Sequence, residues 1–142
     1  MPSPGVKMRI NRFWKSCKRL KELSKYSLNQ FKSNQDFIDI CERNLHIAIE
    51  AVIDVGEVII SHMGWRTPRS YRDVIDILWE NNIINRLKHD ILIDLIKVRN
   101  ILVHNYVYLP PEKLYETIRD LDILIETMSI FLKYMEENGI DP

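Results

Sequence analysis

Breakers of regular structure are scarce inside this chain. It contains four glycines and six prolines, and three of the prolines (Pro2, Pro4, Pro142) lie at the ends. Long stretches can therefore run as helix, and their apolar residues recur at three- and four-residue intervals. From about Met8 to Tyr26, Ile10, Phe13, Trp14, Cys17 and Leu20 trace one stripe. Ser27-Leu28-Asn29 opens a short further turn anchored by Phe31. A long helix is predicted over Gln35–His62, capped by Asn34 or Asp36 and ended by Met63-Gly64. Its apolar face is Phe37, Ile40, Cys41, Leu45, Ala48, Ile49, Val52, Ile53 and Ile60; Gly56 either permits a close helix contact or simply weakens the helix.

The rest reads the same way. Ser70, with Asp73 three residues on, caps a shorter helix whose core candidates are Val74, Ile75, Ile77, Leu78 and Trp79, and Asn81-Asn82 breaks it. The next helix is predicted over about Ile84–His104, through Leu87, Ile91, Leu92, Leu95, Ile96, Val98, Leu102 and Val103. A loop follows, and Pro111 opens a last helix that runs to about Glu137 before Asn138-Gly139. The pattern predicts an all-α, antiparallel up-and-down bundle of about five helices, one domain over 1–142, with 1–7 expected to be disordered.

Composition narrows the function classes. Cys17 and Cys41 have no partners at metal-ligand spacing and form no disulfide framework, which favours a reducing compartment. No apolar run approaches a membrane span, and the first residues lack an apolar signal core, so the expected location is the cytoplasm. The net charge is zero, yet Lys7–Lys25 holds eight basic residues against Glu22 alone, and Glu112–Asp141 holds eight acids against three bases. A nucleic-acid surface is one reading of the basic helix. The favoured one is a solvated face balanced by the acidic last helix, because the basic residues lie on several sides.

The chemistry concentrates in Arg99-Asn100-Ile101-Leu102-Val103-His104-Asn105-Tyr106. A permanent cation that suits phosphate stands near the one side chain that ordinarily titrates near neutrality. Arg99 and His104 are five apart, about 140° around a helix, so one ideal helix does not present them on one face. Two antiparallel copies would gather two of each in one cleft. Such a cleft suits RNA, which carries its own 2′-hydroxyl nucleophile. His104 can act as acid or base, Arg99 can hold the phosphate and its growing charge, Asn100 can hold His104 or a phosphate oxygen, and Tyr106 can stack on a base or donate a hydrogen bond. The plain structural alternative is a histidine at a helix C-terminus, favourable with the dipole.

The octet resembles the Arg-x4-6-His motif of the HEPN superfamily, and more narrowly the Arg-x4-His-x-Tyr form of the HepT toxins. Cys41–Ala51, Trp65–Tyr71 and Tyr106–Glu116 resemble the flanking segments of that family, and the likeness spans 36–132. The resemblance implies a helical homodimer with its cleft at the interface. It implies a metal-independent ribonuclease toxin acting on RNA (tRNA or mRNA) with Arg99 and His104 as the catalytic pair and Asn100 beside them, and with no cofactor or metal. It also implies an MntA-type nucleotidyltransferase antitoxin that transfers AMP to Tyr106. The rival reading is a non-catalytic HEPN module that binds nucleotide or serves as the platform for the nucleotidyltransferase.

Other candidates carry less. Glu50 and Asp54 are four apart and suit a supporting contact to Arg99 or His104, or a solvated pair. His46, His62 and His89 lack ligand spacing, and Trp14, Trp65 and Trp79 read as core or interface residues.

Overall fold

The long helix forms where an apolar stripe widens until it surrounds most of the axis. A helix that is apolar on most sides must be wrapped by others. The computed structural model, which describes residues 4–104 and 109–140, shows that arrangement. Its helices are α1 (Pro4–Leu23), α2 (Leu28–Lys32), α3 (Gln35–Met63), α4 (Tyr71–Glu80), α5 (Arg86–His104), α6 (Pro111–Ile118) and α7 (Leu121–Glu137). α3 is central and packs against each of the other six. Leu45, Ala48, Ile49, Val52, Ile53, Val55, Ile59 and Ile60 are all buried along it. Among the described residues no helix is long and apolar enough to cross a membrane.

Local signals set the boundaries. Asn34 caps α3 by accepting the Asp36 and Phe37 amides, and Gly64 ends it at φ 70°, a left-handed turn that glycine adopts without strain. Ser27 and Gln30 form a reciprocal capping box on α2, which pins the fully buried Phe31. Ser70 accepts the Asp73 amide at the start of α4. The Asp73 carboxylate turns to the preceding loop, where it takes both terminal nitrogens of Arg66 at 2.9 Å and the Arg69 amide at 2.9 Å. Arg66 also reaches Glu80 from Nη2 at 2.8 Å, so the loop is tied to both ends of α4.

Gly56 is a point of close approach. A Cβ there would stand 2.8 Å from Leu78 Cδ1, 3.3 Å from Val74 Cγ1 and 3.5 Å from Phe131 Cε2, so α4 and α7 close on α3 where no side chain intervenes.

Several expectations change. α1 begins at Pro4, and Val6 is buried, so the part of 1–7 that is described is helical. Among the described residues there are seven helices where about five were expected: the short helical turn expected at Ser27–Phe31 is present as α2, and the last helix divides in two. Around Arg119 and Asp120 the amides bond three residues back, to Glu116 and Thr117, and the buried Thr117 hydroxyl donates to the Lys113 carbonyl. That local bonding bends the chain and turns the stripe Leu114, Ile118, Leu121, Leu124, Met128, Phe131 and Met135 onto the core. Leu87 is 63 % exposed because it lies roughly 140–180° around α5 from Leu92 and Ile96. Ile40, Trp79 and Val103 are also exposed, and Trp14 sits at the surface against Phe13. Trp65 is half-buried and packs on Tyr134.

Candidate functional site

The polar end of α5 is built against the middle of α3. Val98, Ile96 and Leu95 anchor α5 in the core, which fixes where Arg99 leaves the helix. The Arg99 side chain is only 12 % exposed. Its Nε donates to Glu50 Oε1 at 3.1 Å and its Nη2 to the same oxygen at 2.5 Å. Nη1 donates to Asn100 Oδ1 at 3.0 Å. The guanidinium carbon stands 4.5 Å from the centroid of the Tyr71 ring, at the first residue of α4. A carboxylate on one edge, an amide at the tip and an aromatic face thus hold one cation.

Glu50 is shared. His46, one turn earlier on α3, places Nε2 3.2 Å from the same Oε1. Burial alone would push the Glu50 carboxyl up. The hydrogen bonds from Arg99 and His46 outweigh it and hold the group below the usual glutamate range. Asp54 behaves differently: burial raises its carboxyl, Arg9 opposes that rise, and the ion pair it forms is with Arg9 at 3.4 Å. Of the two acids proposed to support the motif, Glu50 reaches Arg99 directly and Asp54 pairs with α1 instead.

His104 is the last residue of α5 and is exposed, as are Asn100 and Val103. The helix stays regular to that point, so the azimuth of about 140° between Arg99 and His104 is kept and one chain presents them on different sides of α5. Asn105 and Tyr106 lie outside the described residues. Among the described residues no three of His, Cys, Asp and Glu gather in a metal-binding arrangement. His89 is buried, with Nε2 2.7 Å from Asp76 and Nδ1 2.9 Å from Asp90, where it ties α5 to α4; His62 is exposed.

Tyr71 and His46 are members of this site that the sequence reading did not select. His46 had a usable signal, four residues before Glu50 on one helix. Tyr71 had none, because its contact to Arg99 crosses between helices that are separate in sequence.

A helical bundle whose central helix clamps an arginine near the end of a neighbour, five residues before a histidine, has the fold of the HEPN toxins. The chain belongs to the ribonuclease HepT-like family, whose model matches residues 14–135. It is 30% identical over 109 residues to the mRNA nuclease HepT of Shewanella oneidensis, covering 77% of this chain and 74% of that protein. It is 34% identical over 74 residues to the putative RNase YutE of Bacillus subtilis; that match covers 52% of this chain and spans about half (51%) of YutE. The solved structure of a tri-AMPylated HEPN toxin from Shewanella oneidensis, in complex with an MNT antitoxin, superposes with TM-score 0.82 at 24% identity, over 93% of this chain and 99% of that one.

Proposed function

We propose that this chain is the toxin of a HepT/MntA-type pair: an endoribonuclease that needs no metal and cuts RNA by 2′-hydroxyl transesterification. Two protomers bring their α5 ends together, so that Arg99 of one chain serves with the partner's His104 at one scissile phosphate. A base takes the 2′-hydroxyl proton, the 2′-oxygen bonds to phosphorus, the bond to the 5′-oxygen breaks, and that oxygen receives a proton. The products are a 2′,3′-cyclic phosphate and a 5′-hydroxyl. His104 supplies proton transfer, since an imidazole exchanges protons near neutral pH. Arg99 stabilises the charge that builds on the phosphoryl oxygens.

The observation that carries this reading is the clamp on Arg99. Among the described residues, three of its five N–H donors are engaged by Glu50 and Asn100, and Tyr71 fixes its plane. Two donors remain for phosphate oxygens, on a guanidinium already held in place. A cation fixed before substrate arrives costs no reorganisation in the transition state. Asn100 and Glu50 are positioning residues here, acting through Arg99.

Control falls on Tyr106. Transfer of AMP from ATP to its hydroxyl by a nucleotidyltransferase antitoxin would add a phosphodiester and a base two residues beyond His104, where they would compete with RNA for Arg99. The AMPylated state of the Shewanella oneidensis toxin in its complex supports this reading. A cytoplasmic location accords with YutE, described as a cytosolic protein.

Purified chain is expected to cleave single-stranded RNA in the presence of excess chelator and to leave cyclic phosphate ends. His104→Ala should abolish cleavage with an unchanged unfolding midpoint. Loss of cleavage on chelation would refute the metal-free mechanism; full activity in His104→Ala would refute the assignment of the histidine. RNA left intact by a folded wild-type dimer would favour the platform module.

A further inference from the structure

The basic first helix acquires a definite face once it is packed. At 100° per residue, Arg9, Arg12 and Arg19 fall within about 80° of one another on α1, while Lys7, Lys18 and Lys21 occupy the side roughly opposite and Lys15 lies between. The arginine side borders α3. α1 and α3 run antiparallel, with Arg9 beside Asp54 at one end and the Tyr26 ring beside Phe37, 4.5 Å between centroids, at the other. Two open cavities lie along this seam. One of about 230 Å³ is lined by Arg9, Arg12, Arg43, His46, Glu50 and Asp54. The next, of about 400 Å³, is lined by Arg19, Tyr26, Phe37 and again Arg43. Arg43 is the hinge between them, and Glu50, which clamps Arg99, lies in the first.

We propose that this seam is a track for single-stranded RNA flanking the scissile linkage, with Arg12 and Arg43 as phosphate ligands and the Tyr26–Phe37 pair as the platform for a base. The proposal rests on the ribonuclease reading above. Arg43, His46 and Glu50 form one stripe of α3, so the track leads along that helix to the Arg99 clamp. Seven residues separate Arg43 from Glu50 and thirteen separate Phe37 from it, about 10 Å and 20 Å along the helix. That length suits a few nucleotides. Among the described residues Arg12, Arg19 and Arg43 enter no ion pair, whereas Arg9 is paired with Asp54 and Arg99 with Glu50. Unpaired arginines beside a 40 % exposed aromatic ring are the elements of sequence-tolerant single-strand binding: cations for the backbone and a π-face for the bases. An acidic protein segment would also meet the cations, but it would leave the aromatic platform unexplained.

The test uses the full-length chain and the Arg12→Ala/Arg43→Ala double variant, whose side chains are exposed and outside the clamp. Binding is read by fluorescence anisotropy on a 2′-O-methyl uridine oligonucleotide of about ten residues, which lacks the attacking hydroxyl. The double variant should lose about tenfold in affinity, and the slope of log affinity against log salt should fall by about 1.4, near 0.7 for each single-strand phosphate contact removed. Cleavage is read on an unmodified oligonucleotide of the same length and on the dinucleotide UpU. kcat/KM should fall about tenfold on the long substrate and change less than about twofold on UpU. Arg43→Lys should keep most of the affinity that Arg43→Ala loses. Equal losses on both substrates, or an unchanged affinity and salt slope, would overturn the track. So would a variant that binds RNA normally and loses only its antitoxin. A wild-type chain that cleaves neither substrate but still binds the oligonucleotide in an Arg12- and Arg43-dependent manner would refute the ribonuclease reading and leave the track standing.

Discussion

Glu50 and Arg99 are directly linked in the site, and the strength of that link can be worked from its surroundings. Glu50 Oε1 accepts two N–H groups of Arg99, at 3.1 and 2.5 Å. Arg99 is 12 % exposed and Glu50 33 %, so the pair lies between two regimes. Exposed ion pairs contribute about 0.2–1 kcal/mol, and hydrogen bonds to charged groups about 1.5–3 kcal/mol. A coupling of about 1–2 kcal/mol is expected from a double-mutant cycle of Glu50→Gln and Arg99→Met, followed by urea unfolding at pH 7. With a urea dependence of about 1–3 kcal/mol per molar, a loss of that size in Glu50→Gln should lower the midpoint by roughly 0.3–2 M.

The pH dependence gives an independent check. The Glu50 carboxyl is held below its ordinary value, so the folded state binds that proton less readily than the unfolded chain. Its contribution is complete above the unfolded carboxylate range and is lost as pH falls through the depressed folded value. Wild type and Glu50→Gln should therefore differ at pH 7 and converge near the acid limit. In the cleavage assay the same variant should lose about tenfold in kcat, some 1.4 kcal/mol of transition-state stabilisation, because the phosphate cation is less firmly placed. A coupling below about 0.3 kcal/mol, or a difference in stability that persists undiminished at low pH, would refute this view of the clamp.

Gly56→Ala should destabilise by about 1 kcal/mol: the gain in helix propensity of about 1 kcal/mol is outweighed by roughly 1–3 kcal/mol of overpacking against Leu78, read as a lower urea midpoint, and an equal or higher midpoint would contradict the close approach. Burial pushes the thiols of Cys17 and Cys41 up to about 12, so neither should react with a thiol reagent at pH 8 until the chain unfolds; rapid labelling of the native protein would show the core to be looser than described. Arg66→Ala should lower the thermal midpoint at neutral pH. Hydrogen bonds from Arg66 and the Arg69 amide hold the Asp73 carboxyl below its usual range, so that loss should shrink as pH falls through the depressed value.

Much of the bundle is written locally. Asn34, Gly64 and Ser70 mark helix ends by their own side chains or backbone freedom, and the α3 stripe announces a helix surrounded by others. The division at Arg119 was hidden because no glycine or proline marks it; it rests on the buried Thr117 hydroxyl and on the register of Leu114 through Phe131. Leu87 and Ile40 were misplaced because a wide apolar pattern does not say which of its edges will be covered. In the site, Arg99, Asn100 and His104 stood out from one helical segment, and Glu50 from its spacing to Asp54. A supporting contact from Glu50 to Arg99 or His104 was expected, and the contact to Arg99 is present; that Tyr71 would also grip Arg99 was not legible, since that contact joins residues on separate helices. The clustering of Arg9, Arg12 and Arg19 on one side of α1 was present in the sequence, but its meaning required knowing which side of α1 meets α3.

The central claim is that guanidinium and imidazole come from different chains. Arg99→Ala and His104→Ala, each inactive alone, can be mixed, unfolded and refolded together so that heterodimers form. In a two-fold dimer each heterodimer would then hold one intact pair, Arg99 from one chain and the partner's His104, and RNA cleavage should return to about a quarter of the wild-type rate. A mixture that forms heterodimers and stays inactive would contradict the cross-chain site.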